Sequence, residues 1–195
     1  MKVNFLLFDK FETLDAFGPA EVLASGEGYE LDYFSQNGGI VTSSQNLAVM
    51  TKPWERADKS GILVLPGGMG TRKLALDADF IALVRDAAER SCHTLTICTG
   101  SALLAATGLL DGLRATSNKR AFEWVKSTGP NVNWVGAARW VVEGKYYTAS
   151  GVSAGTDMAL GFLADRFSVE TARAIASRVE YFWSEDPNHD PFAVE

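Results

Sequence analysis

The apolar residues of this chain fall into short blocks separated by longer stretches of helical period. Residues 2–8 (KVNFLLF) form a near-continuous apolar run that ends at charged Asp9-Lys10 and predicts a strand buried on both faces. Residues 14–24 have helix-like content. Residues 29–35 predict a second strand, and Asn37-Gly38-Gly39 a turn after it. A third strand, 62–65, is short and wholly apolar, and stops at Pro66-Gly67-Gly68. Over 77–90 an amphipathic helix is predicted, with Phe80, Ile81, Val84, Ala87 and Ala88 on one face. Residues 94–97 are the next strand, and a helix begins at Ser101. Another helix covers 119–127 until Gly129-Pro130 stops it. Residues 140–142 and 146–149 predict a hairpin, and 153–167 and 169–182 two closing helices.

Short apolar strands alternating with helices predict a doubly wound α/β fold, with a mostly parallel sheet covered by helices on both faces. No Pro/Gly/Ser linker, repeat or low-complexity stretch divides the 195 residues, so a single domain over 1–195 is expected. In such sheets ligands bind at the carboxyl ends of the strands. Two turns meet there: "VLPGGMG" at 64–70 and "TICTG" at 96–100.

Composition narrows the function. With 47% hydrophobic and 22% charged residues, the chain has the make-up of an ordinary globular protein. Its net charge of −6, without a basic stripe, argues against a nucleic-acid partner. No apolar run approaches the ~20 residues of a membrane span, and the apolar start is too short for a signal peptide. No membrane partner and a cytoplasmic location are therefore expected. Cys92 and Cys98 do not make a metal pattern, His93 and His189 do not complete one, and the two cysteines bracket a strand too widely for a disulfide. No metal is expected.

Cys98 sits where an apolar strand meets a helix. There a side chain is lifted above the sheet and the helix N-terminus favours a thiolate, which predicts a lowered thiol pKa and a nucleophile. The other reading is a buried apolar filler, since free Cys is among the most buried residue types. His93 belongs to the opposite end of the strand, and His189, in "DPNHDPF", reads as a surface turn residue, so no Cys-His-acid triad can be assembled. Asp15, in "TLDAFGPAEVL", either caps a helix or faces solvent near its start, or is an acid whose apolar surroundings raise its pKa. Glu12 and Glu21 read as surface residues. The amides of Gly67 and Gly68 could form an anion hole beside Cys98, or simply close a strand-end turn. Gly-rich "SGVSAGTDMALG" (150–161) lacks both the phosphate-loop and dinucleotide patterns and reads as helix packing against the sheet. Trp124, Trp134, Trp140 and Trp183 read as core or interface aromatics.

Taken together in order and spacing, "LDAFGPAEVL", "FSQNGGIVTSS", "ILVLPGGMG", "ICTGSALLAATGLLDGLRAT" and "TASGVSAGTDMAL" resemble the ThiJ/PfpI superfamily of class I glutamine amidotransferase-like, flavodoxin-like domains. The branch it is most similar to holds isonitrile hydratases and the amidotransferase-like domains of AraC-type regulators. The resemblance implies a cysteine-dependent hydratase or hydrolase of a small molecule, with Cys98 the nucleophile and Asp15 its acid/base. Thr99, Gly67 and Gly68 would supply amides for negative charge. It implies no cofactor and a homodimer. Thr99 stands where the PfpI-type peptidases have His, which disfavours a peptidase. "SGVSAGTD" lacks the His-x-Glu pair of glutamine amidotransferases, and no residues follow Glu195 to make a regulator's DNA-binding domain. Asn118 occupies a position where many relatives carry His. The superfamily also implies two alternatives: a glyoxalase- or deglycase-like enzyme acting on α-oxoaldehydes, and a redox or small-molecule sensor built on Cys98.

Overall fold

The computed structural model describes residues 1–194. The chain opens with β1 (Lys2–Leu6), α1 (Thr13–Leu23), β2 (Glu30–Ser35), β3 (Asn37–Thr42), β4 (Ala48–Pro53) and β5 (Ile62–Leu65). It continues through α2 (Thr71–Leu74), α3 (Ala78–Arg90), β6 (His93–Ile97), α4 (Gly100–Ala106), β7 (Arg114–Ala115), α5 (Phe122–Thr128) and β8 (Asn133–Trp134). It closes with β9 (Trp140–Glu143), β10 (Tyr146–Ala149), α6 (Ala154–Arg166) and α7 (Val169–Arg178). Eight strands make one sheet in the order β3-β4-β2-β1-β5-β6-β10-β9; β7 and β8 form a separate short ribbon. The six inner strands run parallel, while β3 and β9 pair antiparallel at the two edges. Helices α1, α6 and α7 pack together, as do α3, α4 and α5, giving the two layers of a doubly wound fold.

The central strands are apolar because both faces are covered: Phe5, Leu6, Val64, Leu65, Leu95 and Ile97 are fully buried. The amphipathic helix begins one residue later than its predicted 77–90, because the Asp77 carboxylate caps it, accepting the amides of Asp79 and Phe80 at 3.1 Å each. The glycines of 150–161 pack as expected: a Cβ on Gly155 would press on Ile97 Cγ2 at 2.6 Å. One expectation fails. Asn37-Gly38-Gly39 is not a turn but the start of edge strand β3, which pairs Ile40 with Met50. Gly38 and Gly39 do take the positive φ that signals a turn (75° and 87°), and the chain does reverse here, since β2 runs parallel to β4 and β3 antiparallel to it; the reversal is made on entry to the strand and not in a separate turn. Among the described residues, no helix is long and apolar enough to cross a membrane.

Candidate active site

Parallel strands deliver their carboxyl ends to one edge, and the order reverses between β1 and β5, which leaves a crevice there. Four exits meet at it: those of β1, β5, β6 and β10. The β6 exit carries Cys98 at φ 56°, a left-handed conformation that a non-glycine residue adopts at a cost of order 1–3 kcal/mol. Tertiary bonds hold it there. Its amide donates to the carbonyls of Ala149 (3.2 Å) and Ser150 (3.0 Å), and its carbonyl accepts Ser101 Oγ (3.0 Å) and Ser117 Oγ (2.8 Å). Gly100 is glycine because a Cβ would collide with the Leu65 carbonyl of the neighbouring turn.

Asp15 enters from the first turn of α1 and is completely buried, which decides between its two sequence readings. Its Oδ2 accepts the Gly67 amide at 2.9 Å. Its Oδ1 is buried with no hydrogen-bond partner, and the Cys98 side chain is near enough to influence the carboxyl electrostatically. The Gly68 amide donates to Thr99 Oγ1 at 3.0 Å, and Thr71 Oγ1 meets the same hydroxyl at 3.0 Å. Both glycine amides are thus engaged, Gly67 by Asp15 and Gly68 by Thr99, and neither is free for an anion. The amides that favour negative charge on Sγ are those of Thr99 and Val152. Val152, at φ 40° in the turn after β10, carries no chemical signal in its side chain, and sequence reasoning missed it.

Burial dominates the electrostatics. It pushes the Asp15 carboxyl up to about 8, against the pull of the Gly67 amide and the thiol. It also pushes the Cys98 thiol up, and the Asp15 carboxylate pushes it further, while the Thr99 and Val152 amides offset part of the rise. The lowered thiol pKa expected from the helix N-terminus is therefore corrected. Helix α4 is only seven residues long, and desolvation beside an acid outweighs its dipole. Two acids sharing one buried site hold their protons together at neutral pH.

Cys98 and Thr99 open onto a cleft of about 460 Å³, lined also by Glu12, Met69, Arg72, Asn118, Arg120 and Val152. Glu12 is half-buried at this rim, not a plain surface residue, and its Oε1 accepts Gln45 Nε2 at 2.7 Å. Asn118 caps the turn before α5, its Oδ1 accepting the Ala121 amide at 3.1 Å. His93 starts β6 at the far end of the strand and His189 is exposed, so neither serves the thiol.

A second group of buried charges lies behind the Val152 turn, and sequence reasoning missed it too. Arg139 Nε meets Asp157 Oδ2 at 2.7 Å and its Nη2 the same oxygen at 2.5 Å; Asp157 Oδ1 accepts the Ser184 amide at 3.0 Å. Arg139 Nη1 lies 3.6 Å from Asp190 Oδ1, and Lys119 Nζ lies 3.9 Å from Asp190 Oδ2. Burial lowers the Lys119 pKa to about 8, with Arg139 adding to the fall and Asp190 opposing it. Asp157 in an otherwise apolar helix was the available signal.

A strained cysteine turn after a central parallel strand, with a buried acid from the first helix beside it, defines the class: a doubly wound α/β domain with a cysteine turn at the carboxyl edge of its sheet. The model of the DJ-1/PfpI family matches residues 1–165, and the chain belongs to that family. It is 31% identical, over its full length and 86% of the relative's, to an isonitrile hydratase of Pseudomonas putida. It is 29% identical over 60% of its length, and 72% of the relative's, to deglycase PfpI of Pyrococcus furiosus. A solved THiJ/PfpI family protein from Pseudomonas syringae superposes with TM-score 0.84 at 28% identity, over 92% of this chain and 74% of that one.

Proposed function

We propose that this protein is a cysteine-dependent hydratase of a small molecule, of isonitrile hydratase type, converting an isonitrile and water to an N-substituted formamide. The observation that carries the proposal is the Asp15 carboxyl beside Cys98: fully buried, anchored through Oδ2 to the Gly67 amide, with Oδ1 buried and without a hydrogen-bond partner. An acid with a pKa of about 8 is matched to moving a proton near neutral pH.

In this reading, ionised Asp15 takes the thiol proton through Oδ1 as Sγ bonds to the terminal isonitrile carbon. It returns that proton to the same carbon, giving the thioimidate R–N=CH–S–Cys98. Asp15 then takes a proton from water as the hydroxyl adds to the thioimidate carbon. The proton passes to nitrogen, the C–S bond breaks, and R–NH–CHO leaves with the thiol restored. The amides of Thr99 and Val152 stabilise charge on sulfur as it departs. Gly67 and Gly68 act by fixing Asp15 and Thr99. The relative named isonitrile hydratase supports this choice of substrate. We expect a homodimer, as the family resemblance implies.

Turnover of cyclohexyl isonitrile to its formamide tests the reading. Cys98→Ala and Asp15→Asn should each lower kcat/KM by roughly a thousandfold or more. In the native protein kcat/KM should rise with pH and level off above about 8, because Asp15 must be ionised to accept the thiol proton. Unimpaired turnover by Cys98→Ala would sink the proposal. The deglycase relatives favour one other substrate class, α-oxoaldehydes, so methylglyoxal belongs in the same assay. Burial and a raised pKa weigh against a peroxide-sensing thiol.

A further inference from the structure

Arg72 and Arg120 both line the Cys98 cleft, and both are exposed. Arg72 lies over the Trp124 ring with its Cζ 3.8 Å from the centroid, a cation–π contact that uses the face of the ring and leaves N–H groups of the guanidinium for another partner. The arginines with carboxylate partners lie elsewhere: Arg85, Arg90, Arg139, Arg173 and Arg178. Among the described residues, neither Arg72 nor Arg120 has one. The acid among the cleft-lining residues, Glu12, is bound by Gln45. In a chain of net charge −6, two guanidinium groups against the one carboxylate of Glu12 leave the cleft that holds the thiol locally positive.

From this we infer that the cleft is a site for an anionic substrate: a small electrophile bearing a carboxylate, which Arg72 and Arg120 clamp while its electrophilic carbon meets Cys98. The inference rests on the Cys98 cleft being the reacting site and narrows its substrate class. Planar guanidinium groups match the two oxygens of a carboxylate, and the stack on Trp124 reduces the rotamer freedom lost on binding. Met69, Val152 and Ala121 also line the cleft and would hold a short apolar body between the charge and the sulfur.

The test uses Cys92→Ser protein, so that Cys98 is the thiol observed. Cys98 is alkylated with iodoacetate and with iodoacetamide, which differ only in charge, and the adduct is followed by intact mass. Clamping predicts saturable alkylation by iodoacetate and an iodoacetate-to-iodoacetamide rate ratio above that of a free cysteine. Arg72→Gln and Arg120→Gln should each lower the ratio by roughly tenfold, the factor that ~1.4 kcal/mol represents. Raised salt should lower it as well. A ratio equal to that of free cysteine, or one unchanged in both variants, overturns the inference. Isocyanoacetate and its methyl ester complete the experiment: the variants should raise KM for the acid and leave kcat largely unchanged. If the alkylation ratio behaves as stated while no isonitrile is turned over, the anion site stands and the hydratase reading fails.

Discussion

Asp15 and Asp157 are both fully buried carboxylates, both on helices packed against the same face of the sheet, yet their surroundings differ in kind. Asp157 is matched: Arg139 grips one oxygen and the Ser184 amide the other, so burial raises its pKa while these partners pull it back. Asp15 is matched on one side only, by the Gly67 amide; its other oxygen is buried without a partner, and its neighbour Cys98 is itself an acid. A buried charge with its partners supplied fixes a structure; one left short of a partner keeps a proton in play. The contrast separates a strut from a reagent within one molecule. The strut matters to the reagent, because Arg139 Nη2 also reaches Ser153 Oγ at 3.3 Å, next to the Val152 turn whose amide favours negative charge on Sγ.

The largest expected effect comes from breaking the matched pair. Arg139→Met leaves Asp157 buried without its cation and Asp190 with Lys119 alone, and should destabilise the fold by about 3–5 kcal/mol, read from denaturant unfolding. Replacing Arg139 and Asp157 together by apolar residues of similar size should recover much of that loss, since both charges then disappear.

The opposite sign is expected at Asp15. Its folded pKa of about 8 lies above its unfolded value, so the native state holds a proton that the unfolded chain releases. Its contribution to stability is therefore complete below about pH 4 and is lost as pH rises towards about 8, at about 1.4 kcal/mol per unit. Asp15→Asn removes that loss. The variant should be more stable than the native protein at neutral pH and gain little near pH 4, which melting curves at the two pH values would show. A variant that is dead as a catalyst yet more stable is the signature of a strained reactive group. Equal shifts at both pH values would place the charge of Asp15 outside the stability balance.

The smallest effect sharpens the link between the two regions. Ser153→Ala removes one long hydrogen bond from Arg139 and should cost about 0.5–1.5 kcal/mol. Its kinetic effect should exceed its effect on stability if the Val152 turn positions an amide at Sγ.

By itself, the sequence determined the layers and the edge at which chemistry would occur. Blocks of apolar residues such as 62–65 and 94–97 report burial on both faces, and parallel strands then bring the turns after them to one side. That logic, with the family resemblance, located Cys98, Asp15, Thr99, Gly67 and Gly68 together. Only the tertiary structure decided what each does. Whether Asp15 faces solvent depends on how α1 lies against the sheet. Whether the Gly67 and Gly68 amides are free depends on which oxygens reach them first, and those belong to Asp15 and Thr99. The thiol's pKa turned on burial, which a helix N-terminus in the sequence cannot report. Val152, Arg72, Arg120 and the Arg139–Asp157–Asp190–Lys119 cluster lie on segments far apart in the chain. Local pattern carries the periodicity of elements and their burial, whereas partners across a crevice exist only once the chain has closed.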